Sequence, residues 1–147
     1  MIQRKQSLWL FLASLLGAGV FYFDLYKIHV TTKEGVDTVS ALRVGDNYPL
    51  LLTALVMCIL PLITIFMFKQ RKRQMNMTIV SIIATALFIA MGLWQVSVYL
   101  KGLVLPTSGG TYGIGLILPA ASFVFLLLAI GGISRDEKLV RSVDRLR

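Results

Sequence analysis

Residues 47–73 read NYPLLLTALVMCILPLITIFMFKQRKR, and this stretch decides the fold. From Asn47 to Phe68 it holds no Asp, Glu, Lys or Arg; then Lys69, Arg71, Lys72 and Arg73 follow at once. About 20 mostly apolar residues are needed to cross the hydrocarbon core of a bilayer, and this run is long enough. An apolar run that stops at a cluster of positive charge reads as a membrane span with its cytoplasmic end marked. Three further charge-free runs, Gln6–Phe23, Gln74–Leu100 and Gly102–Ser134, repeat the pattern. The expected fold is an all-α membrane protein, a four-helix transmembrane bundle. Its spans fall at about 7–23, 48–68, 77–100 and 112–133.

Composition agrees. The 147 residues are 56% hydrophobic with mean hydropathy +0.77, and 15% are charged, against about 25% in soluble domains. Residues 1–147 are read as one membrane domain, leaving an outer loop at 24–47 and a tail at 134–147. The net charge of +8 sits beside the spans. There it sets topology and meets anionic head groups, so membrane lipids and not nucleic acid are the expected partners. Cys58 is the sole cysteine and lies inside a span, where it reads as a small core residue. His29 is the sole histidine, and one ligand makes no metal site. No cofactor or metal is expected.

The Lys and Arg residues also assign the sides. The N-terminal segment has two, the 69–73 segment four and the tail five; the two intervening loops have three and one. Cytoplasmic segments carry the excess. Both termini and the 69–73 turn are therefore expected in the cytoplasm, in a bacterial inner membrane. The first run has some signal-peptide character, but Phe21-Tyr22-Phe23 follows its glycines and no A-x-A site appears. It is kept as a span.

Between the spans, residues 28–32 and 38–44 alternate in polarity around a turn at 33–37, an extracytoplasmic β-hairpin. Such a hairpin is marginal alone and is expected to lean on the membrane domain, the second outer loop or a partner. The second outer loop, Thr107-Ser108-Gly109-Gly110-Thr111, reads as flexible. Ala13, Ser14, Gly17 and Ala18 are small residues spaced for close helix packing. Pro61 and Pro119 read as kinks. Gln95 is a candidate intramembrane polar contact, and Lys69, Arg71, Lys72 and Arg73 are candidate anionic-lipid contacts. Gly131-Gly132 is expected to close the fourth span. Ser134 with Glu137 then forms a capping-box pattern, opening a short cytoplasmic amphipathic helix. Its docking residues would be Glu137, Leu139, Val140, Arg141, Val143 and Leu146.

The chain resembles the small four-span inner-membrane proteins grouped as domain of unknown function 4293, found mainly in Bacteroidota. The resemblance rests on Met1-Ile2-Gln3-Arg4 with Gln6, on Arg73-Gln74, and on Leu118-Pro119 with Ala120-Ala121. It rests also on Asp136 through Ser142 with Asp144-Arg145-Leu146-Arg147. It implies four helices in the cytoplasmic membrane and no known activity.

No nucleophile–base pair, metal-ligand cluster or phosphate loop is legible, and no ionisable residue lies within a span. A non-enzymatic role is expected: an accessory or scaffold subunit contacting other integral membrane proteins, with envelope protein export or secretion as one possible host. The alternative is a binder or conduit for a lipid or small apolar molecule, opened by Pro61 and Pro119 and lined by Gln95.

Overall fold

Each charge-free run becomes a helix, and the outer loops become one small sheet. The computed structural model describes the backbone of residues 5–31, 37–68, 70–102 and 107–144. It describes side chains over 6–28, 40–68, 70–102 and 110–137. In chain order the elements are α1 (Lys5–Gly19), β1 (Tyr26–Thr31), β2 (Asp37–Leu42), a single 3-10 turn (Val44–Asp46), α2 (Tyr48–Phe66), α3 (Arg71–Lys101), β3 (Thr107–Tyr112) and α4 (Ile114–Asp144). Pro49 lies in the first turn of α2, where its missing N–H costs nothing.

The helices form a ring: α1 packs on α2 and α4, and α3 packs on the same two. α1 and α4 run antiparallel, with Gly19 against Leu118 at one end and Gln6 against Gly132 at the other. Buried positions recur three and four apart on every helix. They are Gln6, Leu10, Ala13 and Gly17 on α1, continued by Val20 just past its end, and Leu50, Ala54, Met57, Pro61 and Thr64 on α2. On α3 they are Gln74, Thr78, Ser81, Thr85, Phe88 and Gly92, and on α4 Gly115, Pro119, Ser122, Leu126, Ala129 and Ile133. A mean spacing near 3.5 keeps one stripe of each helix on its neighbours, the geometry of left-handed bundles.

This bundle is apolar on its outside as well as in its core, and its core also holds polar side chains. The seam carries Ser14, Thr64, Gln74, Thr78, Ser81, Thr85 and Ser122, all buried. The outward faces carry exposed Leu52, Ile59, Ile83, Leu87, Ile117 and Leu127. Three helical stretches, Tyr48–Phe66, Arg71–Lys101 and Ile114–Glu137, are long and apolar enough to cross a membrane, and only 28% of each apolar window is buried. α1 is shorter than expected. Its 15 residues rise about 22 Å. Beyond Gly19 the N–H groups of Val20, Phe21 and Tyr22 bond three residues back, tightening the last turn before the chain enters β1.

The hairpin stands, with Thr31 opposite Asp37 and Tyr26 opposite Leu42. It leans on the second outer loop, which supplies β3. The sheet has order β2-β1-β3 and is antiparallel throughout. Thus 107–111 is a strand and not a loop. Gly110 serves contact: a Cβ there would lie 2.7 Å from Cε1 of Tyr26. Tyr26 is buried with Ile28, Leu42 and Val96 beneath the sheet.

The expected separate tail helix is also corrected. α4 runs unbroken through Gly131, Gly132 and Ser134 to Asp144, so Ser134 caps nothing. Glycine lowers helix propensity by about 1 kcal/mol without ending a helix. Gly132 is where the Gln6 side chain lies, 2.8 Å from a would-be Cβ. α3 likewise starts at Arg71 and not near residue 77, so three of the inner-turn residues expected as a loop (Arg71, Lys72 and Arg73) are helical.

Candidate functional site

The most tightly built place in the molecule is where α1 ends and α4 begins, under the sheet. Leu25 donates its N–H to the Leu42 carbonyl at 2.9 Å and accepts from the Gly113 N–H at 2.8 Å. The Asp24 carbonyl accepts from Gly115 N–H at 3.1 Å. One dipeptide thereby ties β2 to the first turn of α4. Gly113 admits no side chain, since a Cβ would lie 2.8 Å from the Asp24 carbonyl carbon. Tyr26 and Tyr112 meet edge to face at 5.3 Å, and the Ser40 hydroxyl hydrogen-bonds the Tyr99 hydroxyl, linking β2 to α3.

Asp24 is the first charged residue after the α1 apolar run. Its side chain is 14% exposed. Nε of Arg43 donates to Oδ1 at 2.6 Å, and Nζ of Lys27 lies 3.4 Å from Oδ2. The Arg43 hydrogen bond outweighs partial burial and holds the Asp24 carboxyl below its ordinary range; Lys27 adds to the effect. Asp24 and Lys27, with Tyr22, Phe23, Tyr112 and Ile114, line a cleft of about 260 Å³.

The residues singled out from the sequence lie mainly at the other end. Arg71 is partly buried, its Nη1 3.9 Å from Oδ2 of Asp136; Lys72 and Arg73 are exposed. The basic turn and the start of the tail are thus brought to one end of the bundle. Glu137 is half-buried there. Lys69 and Leu146 lie outside the described residues, as do the side chains of Leu139, Val140, Arg141 and Val143. Gln95 sits at the opposite, sheet-capped end of α3, half-buried; the described cross-helix hydrogen bonds are made elsewhere. Ser14 donates to the Cys58 carbonyl at 2.8 Å, and Ser122 donates to the Ala13 carbonyl at 2.9 Å. The hydroxyls of Thr64, Thr78, Ser81 and Thr85 instead bond the carbonyl four residues back. Every buried side-chain polar atom among the described residues has a partner. Cys58 is half-buried, with its thiol against the Ser14 carbonyl at 3.7 Å.

Sequence reasoning counted Asp24, Lys27 and Arg43 only as loop charges. The available signal was position: an acid directly after an aromatic run, with a base three residues on. Among the described residues, no group of three or more His, Cys, Asp and Glu is placed to hold a metal.

Neither the curated proteins nor the solved structures include a match to this chain. A family model does match, over residues 2–146, nearly the whole chain. The protein therefore belongs to the family described as Domain of unknown function (DUF4293).

Proposed function

We propose that this is a non-catalytic, four-span protein of the bacterial cytoplasmic membrane, an accessory or scaffold subunit of a larger membrane complex. The observation that carries the reading is the apolar outer surface of the bundle. A seam that mixes hydroxyl, glycine and glutamine positions with apolar ones is enclosed by exposed Leu, Ile, Val and Phe. In water that surface would cost about 25 cal/mol per Å²; in lipid it costs nothing, and small residues with interhelical hydrogen bonds hold the helices together. α1 reaches across with its aromatic turn at 20–23, and a short helix is accommodated by local thinning of the bilayer. The Lys/Arg distribution favours both termini and the 67–70 connection on the cytoplasmic side.

The scaffold role is supported by where the chemistry lies. Buried polar groups in the seam are satisfied, and Pro61 and Pro119 pack inside it, which favours a static bundle over a conduit. The basic end, continued by the long α4, and the sheet are the surfaces left for recognition. Purification of the full chain from membranes in mild detergent tests this. A second integral membrane protein is expected in stoichiometric amount, and it is lost when residues 138–147 are deleted. Recovery of only the free chain or a homo-oligomer would sink the scaffold role.

A further inference from the structure

Exposed aromatic residues ring the sheet-capped end of the bundle. Tyr22 follows α1, Tyr48 opens α2, and Tyr112 ends β3 just before α4. Trp94 lies about two turns before the end of α3. These residues are 88%, 89%, 59% and 65% exposed, respectively. Contacts fix their relative heights: Gly19 lies against Leu118, Gly92 against Leu116, and Gly17 against the Cys58 backbone. At about 1.5 Å per residue, the four aromatics fall within about 10 Å of one another along the bundle. The first charge of this end stands at the same height, since the Asp24 carbonyl is bonded to the Gly115 N–H in the first turn of α4. Tyr and Trp collect where hydrocarbon meets headgroups, and charge begins there too.

The opposite boundary is set by charge. α3 carries no Asp, Glu, Lys or Arg between Arg73 and Lys101, and its stretch from Arg73 to Trp94 is about 31 Å long. α2, from Tyr48 to Phe66, has 19 residues, about 28 Å. Both match a hydrocarbon core of about 30 Å. The depth of the sheet follows. Its buried Tyr26, Ile28 and Leu42 rest on Val96, with Tyr99 packed alongside, and the Ser40–Tyr99 hydroxyl bond pins β2 there. Val96 and Tyr99 lie only about 3 and 8 Å beyond Trp94 along α3. The headgroup region is about 5–8 Å deep on each side of the core, so the ground on which the sheet rests falls within it.

We infer that the sheet is seated in the phospholipid headgroup layer opposite the basic end, with Tyr22, Tyr48, Trp94 and Tyr112 marking where the hydrocarbon begins. The inference rests on the membrane placement proposed above. Its partner is the lipid surface, and any protein that recognises the sheet meets it at the membrane and not out in solution. The test uses the full chain in phosphatidylcholine vesicles. Trp9 and Trp94 are the only tryptophans, so Trp9→Phe leaves the emission of Trp94 alone. Trp9 stacks on Phe125, and phenylalanine keeps a ring there. Lipids brominated near the headgroup end of the acyl chain are expected to quench Trp94 about twofold more than lipids brominated near the chain end. Stronger quenching from the chain end would put Trp94 at the bilayer centre and overturn the seating while leaving the membrane placement standing. A second readout does not depend on Trp9. Thr111 is exposed on β3, and a nitroxide on Thr111→Cys, with Cys58→Ala, is expected to meet both lipid-dissolved oxygen and a water-soluble nickel chelate. Collision with the chelate alone, as for a label on a soluble protein, would place the sheet in water and overturn the seating. Absence of quenching by every brominated lipid, with release of the wild-type chain from membranes at alkaline pH, would remove the membrane placement itself, and the seating with it.

Discussion

The two ends of the bundle are held together by different kinds of contact. At the sheet-capped end, partners distant in sequence are joined backbone to backbone: Leu25 with Leu42 and Gly113, and Asp24 with Gly115. Beneath them lies an apolar cluster of Val20, Leu25, Val44, Leu50, Met57 and Phe88. Toward the charged end the α2–α3 side of the seam carries Thr64, Gln74, Thr78, Ser81 and Thr85. Four of those hydroxyls bond their own helix, four residues back. A hydroxyl satisfied within its own helix adds no bond between helices. The sheet end is therefore specified by geometry that few substitutions tolerate, whereas at the opposite end the α2–α3 side is lined by small, self-satisfied side chains and the α1–α4 side by Leu10, Leu126 and the stacked Trp9 and Phe125.

The largest effect expected from this contrast is at Gly113. Gly113→Ala places a methyl against the Asp24 carbonyl and breaks the link from Leu25 to α4. A loss of more than about 4 kcal/mol is expected, read as thermal unfolding in detergent or as failure to accumulate in the membrane. Near-normal stability would mean the junction is plastic and the contrast between the ends is wrong. Next is a pair one turn apart on α3. Phe88→Ala should cost about 3 kcal/mol through the cavity it leaves, whereas Thr85→Val should cost under about 1 kcal/mol, because its hydroxyl bonds its own helix. Equal costs would erase the difference between the two halves of the seam.

The two interhelical hydroxyl bonds come third. Ser14→Ala and Ser122→Ala should each cost about 0.6–1.7 kcal/mol. Ser122 bonds the carbonyl of Ala13, directly beside Ser14, so a double variant should depart from additivity by at least about 0.5 kcal/mol. Asp24 supplies a pH signature. Its carboxyl is held below its ordinary value, so its stabilisation is complete above the unfolded pKa of about 3.9 and is lost as pH falls through the folded value. Unfolding temperature measured from neutral pH down to about pH 3 should fall in wild type more steeply than in Asp24→Asn. The smallest effect is at the charged end. Arg71→Gln, which removes a 3.9 Å ion pair with Asp136, should change stability by less than about 0.5 kcal/mol. A much larger loss there would show an end as rigidly specified as the other.

How much of this was legible varied with the range of the interaction. The four helices were legible because each is an uninterrupted apolar run, and the hairpin because alternation and a turn lie within 20 residues. Of Ala13, Ser14, Gly17 and Ala18, read as a packing face from their spacing alone, the first three are buried and Ala18 is half-buried. The errors share one cause. Gly109-Gly110 read as a loop and Gly131-Gly132 as a helix end, since glycine is a local breaker by propensity. Gly110 instead sits under the Tyr26 ring and Gly132 against Gln6. Both need a missing side chain for a partner more than 80 residues away in sequence. The Asp24 cleft was illegible for the same reason: Asp24, Arg43 and Tyr112 come together only when the sheet closes over the helix ends.

By itself, the sequence determined the number and approximate place of the helices and the hairpin, together with the sidedness proposed from the positive charges. These follow from local hydropathy and from charge beside it, quantities summed over neighbours along the chain. The tertiary structure alone decided that the second outer loop is the third strand, that the tail continues α4, and that an ion triad with an open cleft lies under the sheet. Those features depend on contacts between segments far apart in the chain. Which backbone approaches which side chain is settled by packing, and no propensity summed along the chain contains it.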